Sequence, residues 1–251
     1  MDDLKLVNPH LEGDPFFWEA GPVGIFLAHG LTATCAEVRP LAKRLNAAGF
    51  TVAGPLLPGH GTHPQDLNRV KWQDWVQSGE ETCQQLKAHC PRIFIAGESM
   101  GAVLALYLAS QHPEAVGVMA YAPAIKLNLS VYDQLLLRVM APFVPWLPKG
   151  SLDASKAWQG YPVNPLKGAL QLLHFQRVVR QRLPKIHQPL LVIQGRLDTT
   201  VHPTVGQIII NGVSSTAKEL HWMEKSSHVV IIDQELDEVT RITLEFLNRN
   251  C

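Results

Sequence analysis

The 251-residue sequence contains little cysteine, and the four cysteines that it has show no pairing pattern. Cys35, Cys83, Cys90 and Cys251 include no C-x-x-C spacing, which argues against paired cysteines. On one helix, Cys83 and Cys90 would lie about 10 Å apart, too far for a disulfide. We therefore expect buried, unpaired thiols and a reducing, cytoplasmic location.

Net charge and long apolar runs are also missing. The 22 basic and 22 acidic residues cancel, so no field would attract nucleic acid, an anionic membrane or a highly charged substrate. No apolar run approaches the roughly 18 residues of a membrane span, and the first residues, MDDLKLVNPHLEG, lack a secretory signal pattern. We expect a monomer or homodimer with a small neutral ligand, no nucleic-acid partner and no integral membrane segment.

What the sequence does contain is an alternation of strand-length apolar runs with amphipathic segments. After a polar lead-in, strands are predicted at VGIFLA, FTVAGPLL, RIFIAG, AVGVMAYAPA, PLLVIQG and AKELHWME. Between them, helical spacing marks AEVRPLAKRLNAAG, WQDWVQSGEETCQQLKAH, the segment after Ser99, a stretch near HPTVGQIIING and the last helix, from about Gln234 to Leu247. Because strands joined through helices pair in parallel, we predict an α/β fold with a mostly parallel sheet and helices on both faces.

The alternation breaks between residues 125 and 185, where the sequence has helical periodicity but no clear strand. We predict a small helical insertion in this segment. Residues 1–124 and 186–251 then form the α/β core.

One short motif, GESMG at residues 97–101, follows the predicted strand RIFIA and precedes an apolar helix. A sharp strand-to-helix turn needs residues without a Cβ atom on either side, and Gly97 and Gly101 meet that need. The pattern G-x-S-x-G in this context makes Ser99 a candidate nucleophile. The alternative is an ordinary loop rich in glycine and serine.

Polar residues also follow other predicted strands, at the edge where open parallel sheets bind ligands. A serine hydroxyl needs a base to accept its proton and a carboxylate to orient that base. The chain order serine, aspartate, histidine fits this kind of sheet. The residues at strand ends are His29-Gly30-Leu31-Thr32, Ser99, Asp198 and His228.

The base has to be chosen among eleven histidines. His202 lies beside a predicted helix start and His221 lies within a predicted strand, whereas His228 occupies the loop before the last helix. We therefore predict His228 as the base and Asp198 as its partner. An Asx turn or a helix cap is the alternative for Asp198.

Attack on a carbonyl creates an oxyanion that backbone N–H groups must stabilise. The residue after the nucleophile, Met100, supplies one such group, and Leu31 in the loop after the first predicted strand is the candidate for the second. His29 is expected to organise that loop. His60 and His63 could suggest a metal, but no cysteine or acidic ligand completes a tetrahedral site, and a structural role in the loop is the better interpretation.

Taken together, these segments resemble the α/β-hydrolase family, and specifically bacterial carboxylesterases similar to monoacylglycerol lipases. The resemblance covers nearly the whole chain and rests on FFWEAGPVGIFLAHGLTAT, RPLAKRLNAAGFTVAGPLLPGHG, FIAGESMGAVLALYLA, LLVIQGRLDTTV and KSSHVVIIDQE. It implies Ser99 as nucleophile, Asp198 and His228 as its partners, Leu31 and Met100 as oxyanion donors, and no metal or organic cofactor.

The resemblance further implies that residues 125–185 form a cap over an acyl pocket, and that the substrate is a small neutral ester. The apolar residues of the insertion suit an acyl chain, but we expect most of them to pack the cap onto the sheet. These residues are Leu135, Leu136, Val139, Met140, Phe143, Trp146 and Trp158. The candidate substrate-binding residues are His29, Gly30, Leu136, Met140, Trp158 and Val229.

Glu98, an acid beside the nucleophile, departs from the expected pattern. We expect its carboxylate to face away from the site. Three alternatives to an esterase remain open at this point: a thioesterase, an amide hydrolase with the same residues, and a hydrolase-like receptor for a small apolar ligand.

Overall fold

The computed structural model describes residues 4–149 and 157–251. Its main sheet has seven strands in the order β1-β3-β2-β4-β5-β8-β9, and β6 and β7 form a separate two-stranded sheet. The strands are β1 (Phe16–Trp18), β2 (Val23–Ala28), β3 (Thr51–Gly54), β4 (Arg92–Glu98), β5 (Gly117–Tyr121), β6 (Trp146–Pro148), β7 (Val163–Pro165), β8 (Leu190–Gly195) and β9 (Lys218–Met223). The helices are α1 (Arg39–Ala47), α2 (Pro64–Leu67), α3 (Trp72–His89), α4 (Met100–Ala109), α5 (Val131–Met140), α6 (Leu166–Arg182), α7 (Val205–Gly212) and α8 (Leu236–Asn250).

The main sheet is parallel except at one edge, where β1 pairs antiparallel with β3. Strand β2, with the sequence VGIFLA, is buried at all six residues, as expected for a central strand covered on both faces. The predicted sheet is therefore confirmed. The segment before β2 was expected to be a polar lead-in, and that expectation was wrong at Phe16–Trp18, which form β1. This strand is too short to show any alternation in sequence.

Helices cover both faces of the sheet, as predicted. Residues of α1 and α8, including Leu41 and Phe246, belong to the hydrophobic cluster on one face. The opposite face carries α3, α4, α6 and α7, with Trp75, Leu104 and Phe175 in a second cluster. This arrangement leaves the carboxyl ends of the parallel strands at one edge of the sheet, where the loops that follow them meet.

The predicted insertion contains strands, so the expectation of helices alone was wrong. In the two-stranded sheet, Trp146 pairs with Pro165 and Pro148 pairs with Val163. Strands of three residues that contain proline show neither periodicity nor strand propensity, which is why the sequence did not indicate them. Residues 150–156 of the insertion lie outside the described residues, and the division into core and cap stays a prediction.

Helix α5 also departs from expectation, because none of its ten residues is buried in the described structure. The exposed fraction is 84% at Val131, 56% at Leu135 and 59% at Val139. We expected most of the apolar residues singled out in the insertion to pack the cap onto the sheet, and for Leu135, Leu136, Val139 and Phe143 that expectation was wrong. Helical spacing reveals an apolar stripe but not whether another element covers it. Trp158, by contrast, is buried as expected.

The cysteines agree with the predicted burial at three positions. Cys35, Cys83 and Cys90 are buried, and Cys251 is exposed at the end of the chain. Among the described residues, no helix is long and apolar enough to cross a membrane.

Candidate active site

Ser99 stands at the turn between β4 and α4 with φ 53° and ψ −111°. Its N–H donates to the Tyr121 carbonyl of the neighbouring strand over 2.9 Å. A Cβ atom on Gly97 would overlap the backbone of Gly101, and one on Gly101 would overlap the Ala28 carbonyl oxygen. Both glycines are therefore required by close backbone approach, as the sequence predicted, and they hold the serine in a strained conformation.

Ser99, His228 and Asp198 form one continuous chain of hydrogen bonds. Ser99 Oγ lies 2.8 Å from His228 Nε2, and His228 Nδ1 lies 2.8 Å from Asp198 Oδ2. The carboxylate can only accept, so Nδ1 carries the proton and Nε2 is left to accept from the serine hydroxyl. The Asp198 side chain is fully buried and the His228 side chain is 16% exposed. The structure thus brings together three residues that are far apart in sequence.

Asp198 uses its two oxygens for two different purposes. Oδ2 faces His228, while Oδ1 accepts the N–H groups of Thr200 at 2.8 Å and Val201 at 3.1 Å. The second arrangement is the Asx turn that stood as the alternative interpretation of this residue. The two arrangements occur together, so the turn fixes the carboxylate that accepts from His228, and the catalytic role of Asp198 stays a prediction.

The loop that carries His228 is attached to the loop that carries Asp198. Gly195 ends β8 against this loop, where a Cβ atom would overlap the Ser227 carbonyl oxygen. The Leu197 N–H donates to the Ser226 carbonyl over 3.0 Å. Asp233 Oδ2 accepts from both the N–H and the hydroxyl of Ser227, at 2.6 and 2.7 Å. These bonds hold His228 in place from both sides.

The loop after β2 approaches Ser99 closely. A Cβ atom on Gly30 would lie 3.1 Å from Ser99 Cβ. The carbonyl of Gly30 accepts from Ala33 N at 3.3 Å and lies 2.9 Å from His29 Nδ1. Because a trans peptide is planar, fixing this carbonyl also fixes the direction of the Leu31 N–H on its opposite side.

Met100 is the first residue of α4, where backbone N–H groups have no acceptor within the helix.

His29 and His60 are buried histidines behind this loop. His29 Nε2 accepts the Leu57 N–H at 3.1 Å, so the ring connects the loop after β2 to the loop after β3. Burial lowers the pKa of His29 to about 4 and that of His60 to about 3. Both rings are neutral at pH 7. His29 therefore organises the loop, as expected.

His60 and His63 are the two histidines for which a metal site was weighed against a structural role in the loop. The His60 ring packs on the rings of His29 and Trp75, with centroids 4.9 and 6.3 Å apart. His63 Nδ1 accepts from Gln65 N at 3.1 Å and caps α2. Both rings serve the structure of the loop.

Glu37 is a residue of this region that the sequence did not single out. Its carboxylate is buried, accepts the Gly30 N–H at 2.6 Å and accepts the Trp158 indole N–H at 3.2 Å. A signal was present, since Glu37 precedes Leu41 by four residues and Leu45 by eight. An acid on the apolar stripe of a helix is expected to have a buried partner.

The remaining predicted site residues are placed as follows. Leu136 is 42% exposed on α5, and Met140 is half-buried near the end of the same helix. Val229, next to His228, is buried. Trp158 is buried with its indole on Glu37. Their contact with substrate stays a prediction.

Glu98 is fully buried at the end of β4, paired with Tyr121 of β5. Burial raises the pKa of Tyr121, and the charge of Glu98 adds to that rise. The Tyr121 hydroxyl lies 3.0 Å from Thr243 of α8. The orientation expected for Glu98, away from the reacting atoms, stays a prediction.

Known proteins resemble this chain over most of its length. Residues 23–235 match the family model described as serine aminopeptidase, S33. The chain is 34% identical over 244 residues to a thermostable monoacylglycerol lipase of Bacillus sp. (strain H-257), covering 97% of this chain and 98% of the relative. It is 31% identical over 250 residues to a carboxylesterase of Bacillus subtilis (strain 168), covering 98% and 99%.

A solved structure reported for the metagenome-derived lipolytic enzymes LipS and LipT superposes with a TM-score of 0.88 at 32% identity, covering 95% of this chain and 99% of that one. A monoacylglycerol lipase of Paleococcus ferrophilus shares the fold, with a TM-score of 0.79 at 17% identity over 96% of this chain and 100% of that one. The sheet topology, the sharp turn at Ser99 and these matches agree: the chain is an α/β-hydrolase and belongs to the serine aminopeptidase S33 family.

Proposed function

We propose that this chain, a carboxylic ester hydrolase of the lipase and esterase type like its Bacillus relatives, cleaves short to medium acyl esters through an acyl-enzyme on Ser99. Monoacylglycerols are the substrates suggested by the first of those relatives. The observation that carries the proposal is the chain of 2.8 Å hydrogen bonds from Ser99 through His228 to Asp198.

In the proposed reaction, Ser99 Oγ attacks the ester carbonyl while His228 Nε2 takes the hydroxyl proton. Asp198 stabilises the imidazolium that results and keeps the ring in the required tautomer. His228 then returns the proton to the leaving alcohol. Water activated by the same nitrogen hydrolyses the acyl-enzyme and restores Ser99.

The oxyanion of each tetrahedral intermediate is proposed to lie between the N–H groups of Leu31 and Met100. The fixed Gly30 carbonyl supports the first donor, and the start of α4 supports the second. Such donors stabilise the transition state more than the substrate, since the negative charge develops only there.

The first test is steady-state hydrolysis of p-nitrophenyl esters across acyl lengths, beside glycerol monoesters, by the wild type and Ser99→Ala. We expect turnover to fall by at least about 10⁴-fold in the variant. The matched control is Ser214→Ala, because Ser214 is exposed and its hydroxyl donates to the Pro184 carbonyl, far along the chain from Ser99. Mass spectrometry of a quenched reaction should detect an acyl group on the peptide that contains Ser99. Retained activity in Ser99→Ala would exclude the mechanism.

A second variant, Asp198→Asn, separates catalysis from folding. Its amide oxygen can still accept from Thr200 and Val201, so the Asx turn is preserved. Its NH₂ group then faces His228 and forces the wrong tautomer, for which we expect a loss of about 10⁴-fold in kcat. The melting temperature should stay close to that of the wild type. Activity within tenfold of the wild type would remove Asp198 from the proposed role.

Substrate classes are distinguished with matched leaving groups. Amide hydrolysis is tested with p-nitroanilides of the same acyl chains, and thioester hydrolysis with the corresponding thioesters. We expect the esters to be turned over fastest. Tight binding of an apolar ligand without turnover would instead favour the receptor alternative.

The proposed setting is the cytoplasm, because three of the four thiols are buried and none is arranged as a C-x-x-C pair. The expected assembly remains a monomer or homodimer, which sedimentation of the purified chain would determine.

A further inference from the structure

The buried carboxyl group of Glu37 lies beside the proposed oxyanion loop. It ends a short 3-10 turn, Cys35–Glu37, and is only 3% exposed. Burial raises the pKa of its carboxyl to about 7, and this rise is opposed by the hydrogen bond from Gly30 and by the nearby charge of Lys149. A buried carboxyl that would otherwise be destabilising is therefore tied to specific partners.

The first partner, Gly30, is in contact with both Glu37 and the nucleophile. A Cβ atom on Gly30 would lie 3.1 Å from Ser99 Cβ and 3.1 Å from Glu37 Oε2. The bond from Gly30 N to Oε2, at 2.6 Å, fixes the peptide before Gly30, while His29 and Ala33 fix the peptide after it. Glycine has no side chain to restrain these peptides, so the orientation of the Leu31 N–H depends on both sets of bonds.

The second partner, Trp158, connects Glu37 to the segment that follows the undescribed residues. Lys149 Nζ lies 4.2 Å from the centroid of the Trp158 ring and donates to Thr32 Oγ1 over 2.6 Å. The Tyr161 N–H donates to the Thr32 carbonyl over 2.9 Å. Thr32 is held at φ 68°, a left-handed conformation that a threonine rarely adopts. The loop after β2 is thus held from the β7 side as well as from Glu37.

We infer that Glu37 is a positioning residue for the proposed reaction, whose carboxylate orients the Gly30–Leu31 segment as an oxyanion donor and attaches Trp158 to it. The inference rests on the proposed function, since an oxyanion donor matters only if Ser99 forms tetrahedral intermediates. Without the carboxylate, the buried Gly30 N–H would lack an acceptor, and the peptide would turn to find one. The Leu31 N–H would then move away from the oxyanion.

The test compares Glu37→Ala and Glu37→Gln with the wild type on a soluble p-nitrophenyl ester. For Glu37→Ala, we expect kcat to fall by about 10²-fold, the lower end of the loss seen when one oxyanion donor is removed, with KM changed by less than about threefold. Affinity for a boronic acid, which forms a tetrahedral adduct on the serine, should fall by the same factor as kcat. Affinity for the product alcohol should not change. If Glu37 had only a structural role, the substitution would lower the melting temperature. It would not lower kcat and boronic acid affinity while leaving KM and product affinity unchanged.

Glu37→Gln keeps the shape of the side chain and removes its second acceptor. One of its two N–H partners, Gly30 or Trp158, must then face the amide NH₂ group. We expect kcat to fall by about tenfold. Replacing Trp158 with Phe removes the competing partner, so kcat of Glu37→Gln/Trp158→Phe should exceed that of Glu37→Gln alone. This rescue separates positioning from a loss of folding.

Glu12→Ala is the control, because Glu12 is an exposed acid that pairs with Arg39 and Lys43 on the surface. Its kcat should match the wild type. Wild-type kcat and boronic acid affinity in Glu37→Ala, or in Glu37→Leu where Glu37→Ala does not fold, would overturn the inference, because neither side chain can accept the Gly30 N–H. Failure of the proposed function would look different, because the wild type itself would then show no turnover that depends on Ser99.

Discussion

Helices α4 and α5 have the same length but opposite surroundings. Each has ten residues; nine of those in α4 are buried, and none in α5 is. Helix α4 follows the central strand β4 and is enclosed by α3, α6 and the sheet. Helix α5 contacts α6 and otherwise presents Val131, Tyr132 and Leu135 to the surface.

The two helices also begin differently. Ser99 precedes α4 but makes no capping bond with its side chain, which faces His228 instead. Ser130 precedes α5 in a complete capping box, where its hydroxyl accepts from Asp133 N and Asp133 accepts from Ser130 N. Tertiary packing therefore stabilises α4, whereas local hydrogen bonds stabilise α5. This difference leaves the Ser99 hydroxyl available to bond with His228.

The largest effect is expected at the start of α4. Gly101→Ala places a Cβ atom against the Ala28 carbonyl, so the backbone of β2 or of α4 must move. We expect a loss of about 4 kcal/mol or more in the free energy of unfolding, together with loss of activity. Urea denaturation measures the first and ester hydrolysis the second.

The matched control for that variant is Gly79→Ala. A Cβ atom there would lie 3.0 Å from Leu108 Cδ1, the end of a flexible side chain that can shift. Its cost should be far smaller. Equal losses in the two variants would contradict the argument that close backbone approach sets the turn.

The next effect tests burial directly with the same substitution in each helix. Leu104→Ala removes a fully buried side chain of α4 and should cost about 3 kcal/mol. Leu135→Ala removes a side chain of α5 that is 56% exposed and should change stability by less than about 0.5 kcal/mol. Both values come from chemical denaturation. Similar losses would show that α5 packs against the protein in solution.

Low pH should also distinguish the buried loops that carry His29 and His60 from the exposed helix α5. Burial lowers the pKa of His29 to about 4 and that of His60 to about 3, so between pH 6.5 and these values the unfolded chain binds protons that the folded chain does not. Stability is fully present above pH 6.5 and falls as the pH is lowered. Each histidine should contribute a loss of about 2 kcal/mol between pH 6.5 and about pH 4.5.

The control is His60→Asn, whose amide can still donate to the Leu57 carbonyl but does not titrate. Its stability should fall less steeply over the same range. Helix α5 should not respond there, because the Ser130 hydroxyl lowers the pKa of Asp133 and keeps its carboxylate charged. An identical slope in the wild type and His60→Asn would mean that the buried ring is not neutral when folded.

The sequence predicted the parts of this molecule that depend on local pattern. Apolar runs and helical spacing indicated the parallel sheet and its helices. The glycines around Ser99 indicated the turn, and position after a strand selected Asp198 and His228. These signals work because strand ends at one edge of a parallel sheet necessarily lie near one another.

What the sequence did not predict depends on contacts between distant segments. The buried Glu37 carboxylate accepts from Trp158, which is 121 residues away. The exposure of α5 and the pairing of β6 with β7 depend equally on which segments meet, and no periodicity encodes that. An acid within an apolar stripe was the one local clue, and it indicates burial without naming a partner.

The smallest expected effect concerns the cap of α5. Ser130→Ala removes the hydroxyl that accepts from Asp133 N at 3.1 Å and donates to Asp133 Oδ2 at 2.7 Å. A cap of this kind contributes about 1 kcal/mol, so hydrogen exchange in the first turn of α5 should quicken by about fivefold. Ser99→Ala is the control: it should leave exchange in α4 unchanged, because Ser99 does not cap that helix. A fall in global stability from Ser130→Ala would mean that α5 unfolds together with the core, and the contrast between a packed helix and a locally stabilised one would fail.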